Sequence, residues 1–243
     1  MQYAIYSDVH GNLQALKAVV ADIEKAGTAK KIFLGDAVGY GANPNECIKI
    51  IREFSDIALA GNHDHAALNL IDISFFNPFA KEAVFWTRKQ LTRESREFLA
   101  GLKVEESLND ITLVHATPCL PEEWNYIFSL KIASDNFKCF DRKICFIGHS
   151  HVPIIVTLNE KQGRCYVNSG DTMNISSGCR YIINIGSVGQ PRDGDNRSSY
   201  VLYDDEIQTV TIKRVAYDIA ETQSAIIKAG LPSSLAERLG HGR

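Results

Sequence analysis

The chain has no surplus of positive charge. Its 26 Lys+Arg stand against 29 Asp+Glu, for a formal net charge of −3. A protein that holds nucleic acid through its overall field carries a basic excess, so nucleic acid is not an expected partner. Long apolar runs are also missing. None approaches the roughly 18 residues needed to cross a bilayer, and no membrane partner is expected. The first residues, MQYAIYSDVHG, enter a strand-like run without the basic and then apolar stretches of a secretory leader. The six cysteines, Cys47, Cys119, Cys139, Cys145, Cys165 and Cys179, include no Cys-x-x-Cys pair. That pattern points to reduced thiols in a cytoplasmic protein rather than a disulfide framework or thiolate zinc site. Low-complexity tracts, repeats and linkers are absent as well. What remains is an ordinary globular composition, 45% hydrophobic and 23% charged, read as one domain over residues 1–243.

Short β-branched runs alternate with helix-like segments, which predicts an α/β fold. Tyr3–Tyr6 is the first strand, and Leu13, Leu16, Val19, Val20 and Ile23 then recur at helical spacing behind Asn12 as N-cap. Lys31–Leu34, Ile57–Ala60, Ile111–Val114 and Ile144–Ile147 read as further strands. Asn43-Pro44 and Asn77-Pro78 open helices to about Phe54 and Leu91, and Thr92 caps another to about Leu102. A short helix follows Asn62. After His151 the texture changes to successive strands, Ile154–Leu158, Arg164–Asn168, Arg180–Ile185, Ser198–Tyr203 and Thr209–Ala216. Helices from about Ile219 to Ala229 and near Leu235–Leu239 close the chain. The expectation is two stacked sheets, the first mostly parallel and the second more antiparallel. The C-terminal helix would cover an exposed edge that could otherwise pair in a homo-oligomer.

Five apolar runs each end in a potential metal ligand. AIYS precedes Asp8 and His10, KIFLG precedes Asp36, and IALAG precedes Asn62 and His63. TLV precedes His115, and CFIG precedes His149 and His151. Ligands of open α/β sheets bind beyond the carboxyl ends of the strands, so neighbouring strands would converge these groups on one rim. The seven donors Asp8, His10, Asp36, Asn62, His115, His149 and His151 are oxygen and imidazole without thiolate. That set suits Mn, Fe, Zn or Co. Seven donors exceed one tetrahedral site and match two open sites sharing a carboxylate. Asp36, from a strand expected to be central, is the candidate bridge.

The blocks SDVHGN (7–12), GDAVGYG (35–41), GNHD (61–64), LVH (113–115) and GHSH (148–151) resemble the five-block signature of calcineurin-like metallophosphoesterases. The tail NIGSVGQPRDGDNRSSY (184–200) is similar to the smaller bacterial and archaeal branch, which includes phosphodiesterases and diadenosine-tetraphosphatase-like enzymes. The resemblance implies a four-layer α/β/β/α sandwich of two mixed sheets flanked by helices. It implies two divalent ions, with manganese favoured for activity. Asp8, His10, Asp36 and His151 would hold one, and Asp36, Asn62, His115 and His149 the other. A bridging hydroxide would attack a phosphate mono- or diester of a phosphorylated small molecule or nucleotide. His63 would contact phosphate or protonate the leaving oxygen, and Asn12 would bind phosphate at a helix N-terminus, unless it is simply a cap. A dinucleoside polyphosphate hydrolase and a non-enzymatic, metal-holding partner module are the rival readings. No Cys-x5-Arg motif points to a covalent mechanism.

The signature is also incomplete. Phosphoprotein phosphatases of this superfamily continue the second block Asp-Arg-Gly, where this chain has Gly39-Tyr40-Gly41. The acid that orients the catalytic histidine and a phosphate-binding arginine are therefore missing there. Asp64 is a candidate to orient His63. Arg192, in the Gly-rich loop GSVGQPRDG, is a candidate to replace the arginine, unless it pairs with Asp193 or Asp195. His65 either packs or touches substrate. The segment about 66–102, aromatic from Phe75 onward, is a possible cap over the metals or a set of flanking helices. The Cys119–Phe128 loop, with Trp124 and Tyr126, is a possible stacking surface for a nucleobase.

Overall fold

The computed structural model describes residues 1–243. The first half runs β1 (Gln2–Tyr6), α1 (Leu13–Ala26), β2 (Lys30–Phe33), α2 (Pro44–Phe54), β3 (Ile57–Ala58), α3 (Asn62–Ala67), α4 (Pro78–Gln90), α5 (Arg93–Ala100), β4 (Glu105–Leu108) and β5 (Ile111–Val114). The second half runs α6 (Leu130–Asn136), β6 (Ile144–Ile147), β7 (Ile154–Asn159), β8 (Arg164–Val167), β9 (Thr172–Asn174), β10 (Cys179–Asn184), β11 (Ser198–Asp204), β12 (Thr209–Val215), α7 (Ile219–Lys228) and α8 (Ser233–Glu237). Asn12, Asn77 and Thr92 cap their helices through their side chains, whereas Asn43 occupies its cap position without a side-chain bond.

The strands form two six-stranded sheets, ordered β3-β2-β1-β11-β12-β9 and β4-β5-β6-β10-β7-β8. Both are mixed. β3, β2 and β1 are parallel, as are β5, β6 and β10, and the remaining pairings are antiparallel. The expectation of one mostly parallel and one more antiparallel sheet is therefore corrected. The chain's second half supplies antiparallel strands to both sheets, because β11 returns to pair with β1 and β12 adds to β11. β2 also lies next to the β3 edge, so Asp36 does not follow a central strand.

Strand alternation sorts the side chains into layers. Tyr3, Ile5, Ile32 and Leu34 of the first sheet meet Ile144, Phe146, Tyr181 and Ile183 of the second in the central core. Ala4, Tyr6, Phe33 and Tyr200 face outward onto Leu16, Val19, Ile48, Ile51 and Leu99 of α1, α2 and α5. Cys145, Ile147, Val156 and Ile182 face the opposite way onto Ala133 and Phe137, at and just beyond α6. These four layers are the α/β/β/α sandwich. Helix α8 packs on α7, and with Leu239 beyond it reaches Tyr40 and Ala80 rather than a sheet edge, correcting its expected place. Cys119 and Cys139 form a disulfide, which corrects the expectation of six reduced thiols; Cys47, Cys145, Cys165 and Cys179 are free. Cys119 and Cys139 lie 20 residues apart in sequence, and only the folding of α6 back under the loop brings them together.

Candidate metal centre

Three parallel strands from each sheet end at one rim. The loops after β1 and β2 carry Asp8, His10 and Asp36, the first turn of α3 after β3 carries Asn62 and His63, and the loops after β5 and β6 carry His115, His149 and His151. The loop after β10, also parallel, adds Gln190 and Arg192. Every one of the seven expected donors is buried there. Asp8, His10, Asp36, His149 and His151 have φ between 50° and 66°. Left-handed backbone costs a non-glycine residue roughly 1–2 kcal/mol, and such strain concentrates at functional sites.

One donor atom each of Asp8, His10 and His151 lies within 4.8 Å of the others, and Asp36, His115 and His149 form a second such set. Asp36 joins them, with Oδ2 3.6 Å from His10 Nε2 and 3.3 Å from His115 Nε2. Asp8 Oδ1 is 3.2 Å from His151 Nε2. Three imidazoles are locked from behind. Nδ1 donates to the carbonyls of Val38 in His10 (3.0 Å), Leu34 in His115 (2.9 Å) and Gln190 in His151 (2.6 Å). A carbonyl only accepts, so Nδ1 carries a proton and Nε2 is the nitrogen turned to the centre. His10 Nε2 and His151 Nε2 face each other at 3.0 Å. Burial pushes His149 and His151 down to about 3, so both rings are neutral at pH 7. Against the pull of burial, His151 and His115 hold the Asp8 carboxyl well below its usual range, and His115 does the same for Asp36.

Asp8 Oδ1, Asn62 Oδ1, His115 Nε2 and His149 Nε2 are buried and make no hydrogen bond. Buried polar atoms are otherwise almost always paired. Converging imidazole nitrogens, ionised carboxylates and unpartnered donor atoms fit divalent cations.

His63 sits beside this cluster. Its backbone N–H donates to Asp36 Oδ1 at 2.8 Å, and its ring lies against Tyr40, His10 and Phe76 at 4.6, 4.9 and 5.1 Å. Burial holds the imidazole well below its usual pKa, with Asp36 opposing and His10 and Arg192 reinforcing. Nδ1 has no partner. Gly39, where the phosphatases carry their acid, has φ +98°, and a Cβ there would lie 2.5 Å from that nitrogen.

Asp64 does not orient His63, which corrects that expectation. Its two oxygens accept the backbone N–H groups of Asp36, Ala37, Val38 and Gly61 at 2.8–3.3 Å. It clamps the β2 loop that aims Asp36. Burial, with Asp36 nearby, pushes its pKa up to about 7, against the pull of those amides. Asn12 is likewise corrected as a substrate-binding residue. Its Oδ1 caps α1 and accepts from Thr222, and its Nδ2 donates to the Gly189 carbonyl.

Arg192 pairs with neither Asp193 nor Asp195, since Arg214 takes the first and Arg197 the second. Gln190 Oε1 accepts from Arg192 Nε and Nη2, and the guanidinium lies over the Tyr40 ring at 5.7 Å. Trp124 is 7% exposed and packs edge-on against His65 and His115 at 5.2 and 5.9 Å. It forms a wall of the cavity over the centre, and His65 packs against it. Tyr126 is the stacked ring, 4.0 Å from His149. Of the possible cap, Phe75 and Phe76 line a cavity of about 300 Å³ over the centre with Tyr40, His63, Trp124 and His149. α4 and α5 pack on the flanks, α4 beside Tyr40 and α5 on α2. Gln190 and Tyr40 escaped the sequence reading. Their signals, two positions before Arg192 and inside GDAVGYG, were present without a chemistry to attach to them.

The family model for the calcineurin-like phosphoesterase superfamily domain matches residues 1–206. The chain belongs to that superfamily. The family places this phosphoesterase among the metal-dependent phosphoric ester hydrolases. A metallophosphoesterase from Sphaerobacter thermophilus superposes on the phosphoesterase with a TM-score of 0.88 at 44% identity, covering 100% of this chain and 99% of that one. An uncharacterized protein of Methanocaldococcus jannaschii is 40% identical over 99% of this chain and 98% of its own. A hypothetical protein of Pyrococcus horikoshii shares the fold alone, at 19% identity with a TM-score of 0.81, over 100% and 98% of the two chains.

Proposed function

We propose that the chain hydrolyses a phosphoric mono- or diester at a centre of two divalent ions. Asp8, His10, Asp36 and His151 hold one ion, and Asp36, Asn62, His115 and His149 hold the other. The observation that carries this reading is that Asp8 Oδ1, Asn62 Oδ1, His115 Nε2 and His149 Nε2 converge on the rim, buried and without a hydrogen-bond partner. When bound, such ions make a nucleophile of water at neutral pH and clamp phosphoryl oxygens.

The chain's own residues do the rest. Asp64 fixes the loop that aims Asp36. His63 faces the cavity beside the centre and gives a hydrogen bond or proton to the departing oxygen. Arg192, steadied by Gln190 and free of any carboxylate, meets a phosphoryl oxygen. Tyr40, Phe76 and Trp124 exclude water around these groups. Manganese is the favoured ion and a phosphorylated small molecule or nucleotide the substrate. The four free thiols favour a cytoplasmic setting. No helix is long and apolar enough to cross a membrane.

Chelator-stripped protein should hydrolyse p-nitrophenyl phosphate or bis(p-nitrophenyl) phosphate only after Mn²⁺ is returned, and the ratio of the two rates distinguishes monoester from diester preference. Turnover of either ester that survives chelation would refute the reading.

A further inference from the structure

The outer face of the second sheet hides a second cavity. It measures about 230 Å³ and lies between that face and the segment from Asn125 to Leu130. Its apolar walls include Ile147, Ile154, Val156 and Ile182, with Phe128 and Val167 at the lip, 76% and 49% exposed. No Lys, Arg, Asp or Glu lines it. Three of its polar side chains are engaged elsewhere. Ser129 Oγ accepts from Ile132 N–H as the cap of α6. Asn184 Nδ2 donates to the Gly148 carbonyl and Ser150 Oγ, and Asn125 Nδ2 donates to Glu123.

This cavity adjoins the metal centre. Tyr126 and His149 line both cavities. Their rings stack at 4.0 Å and 24°, and Phe128 continues the stack on Tyr126 at 4.8 Å. The Tyr126–His149 pair thus stands where the apolar space meets the metal centre, with His149 Nε2 unpartnered.

We propose that this cavity is a subsite for an uncharged aromatic or aliphatic ester group of the substrate, whose phosphoryl group lies at the metal centre. The proposal rests on the phosphoesterase reading above. A charged or multiply polar group would give up its water for walls that are mostly apolar and hold no Lys, Arg, Asp or Glu, and that is costly. A cavity of about 150 Å³ holds a benzene ring, so 230 Å³ admits one ring and its link to phosphorus. Drug-sized ligands fill pockets of roughly 300–1,000 Å³, so a whole nucleotide is too large. Tyr126 and Phe128 offer ring faces along the way.

Two measurements test this, one of them independent of the metals. In methyl NMR spectra, bromobenzene should shift the methyls of Ile147, Val156 and Ile182, and Val167→Trp, which fills the lip from an exposed strand, should abolish the shifts. Unmoved methyls in the native protein would overturn the proposal. In calorimetry on the Mn²⁺-loaded protein, benzylphosphonate should bind about ten- to a hundredfold tighter than methylphosphonate, the range expected for burying a ring. Val167→Trp, or Leu130→Trp at a second exposed lip position, should erase that preference and leave methylphosphonate binding unchanged. Equal affinities in the native protein, or a preference that survives both variants, would overturn the subsite. Failure of methylphosphonate itself to bind would count against the phosphoesterase reading instead, and the NMR result would still decide the cavity.

Discussion

The two sheets share a strand plan and differ in cover. The first lies under α1, α2 and α5, whose side chains join it in a cluster of 18 buried residues. The second has seven-residue α6 and the loop around it, in a cluster of 7. Their contributions to the centre differ in the same sense. The first sheet supplies all three carboxylates, Asp8, Asp36 and Asp64, with His10, Asn62 and His63, and the second supplies the imidazoles of His115, His149 and His151 with Trp124 and Tyr126. Buried carboxylates need their surroundings held fixed, because an unpaired buried charge is expensive. They sit on the thickly covered side. The thin side borders both cavities and is where a substrate can be accommodated.

Replacing first-sheet groups should therefore break the centre itself. Asp36→Asn should lower turnover by about a thousandfold or more, since it removes the carboxylate shared by both donor sets. Metal analysis should show one ion lost per chain. Asp64→Ala strips four backbone N–H groups of their acceptor and should destabilise the fold by about 3–5 kcal/mol, read from the urea midpoint. An unchanged midpoint with lost activity would mean that Asp64 acts in catalysis and not as a clamp. His63→Ala should cost about a hundredfold or more in kcat with both ions and the stability retained; loss of an ion would make His63 a ligand.

Changes in the β10 loop and in the disulfide-closed loop should instead leave the metal ligands in place. Arg192→Ala should raise KM about tenfold, the scale of one lost charge-assisted hydrogen bond, with metal content unchanged. The smallest effect is expected from Cys119→Ser. It opens the covalent loop that contains Trp124, Tyr126 and α6. Amide exchange should quicken between residues 119 and 139 and stay constant in β1 and β2. Turnover should persist, because no expected ligand lies inside that loop. Faster exchange spread evenly over both sheets would erase the distinction between them.

The same contrast decides what the sequence made legible. The donors after β1, β2, β3, β5 and β6 were visible because each follows an apolar run, and parallel strands put such positions on one rim. β4 and β9 were not. Glu105–Leu108 and Thr172–Asn174 have little strand propensity of their own and exist because β5 and β12 offer edges to pair with. α6, with a weak apolar stripe, was missed for the same reason. Asp64 is a candidate to orient His63 only by adjacency, and adjacent residues often point apart: the α3 turn aims its carboxylate at the amides of the β2 loop. Asn12 was open between cap and ligand, and only the Gly189 and Thr222 contacts fix it as structural. No periodicity carries the Cys119–Cys139 pairing or the division between Trp124 as wall and Tyr126 as stack.

The most direct measurement is anomalous diffraction from crystals of the Mn²⁺-loaded protein and of Asp36→Asn. Two ions about 3.5–4 Å apart, both touching Asp36, are expected in the native protein, and one in the variant. A single ion in the native protein, or two ions with Asp36 contacting only one, would contradict the shared-carboxylate centre.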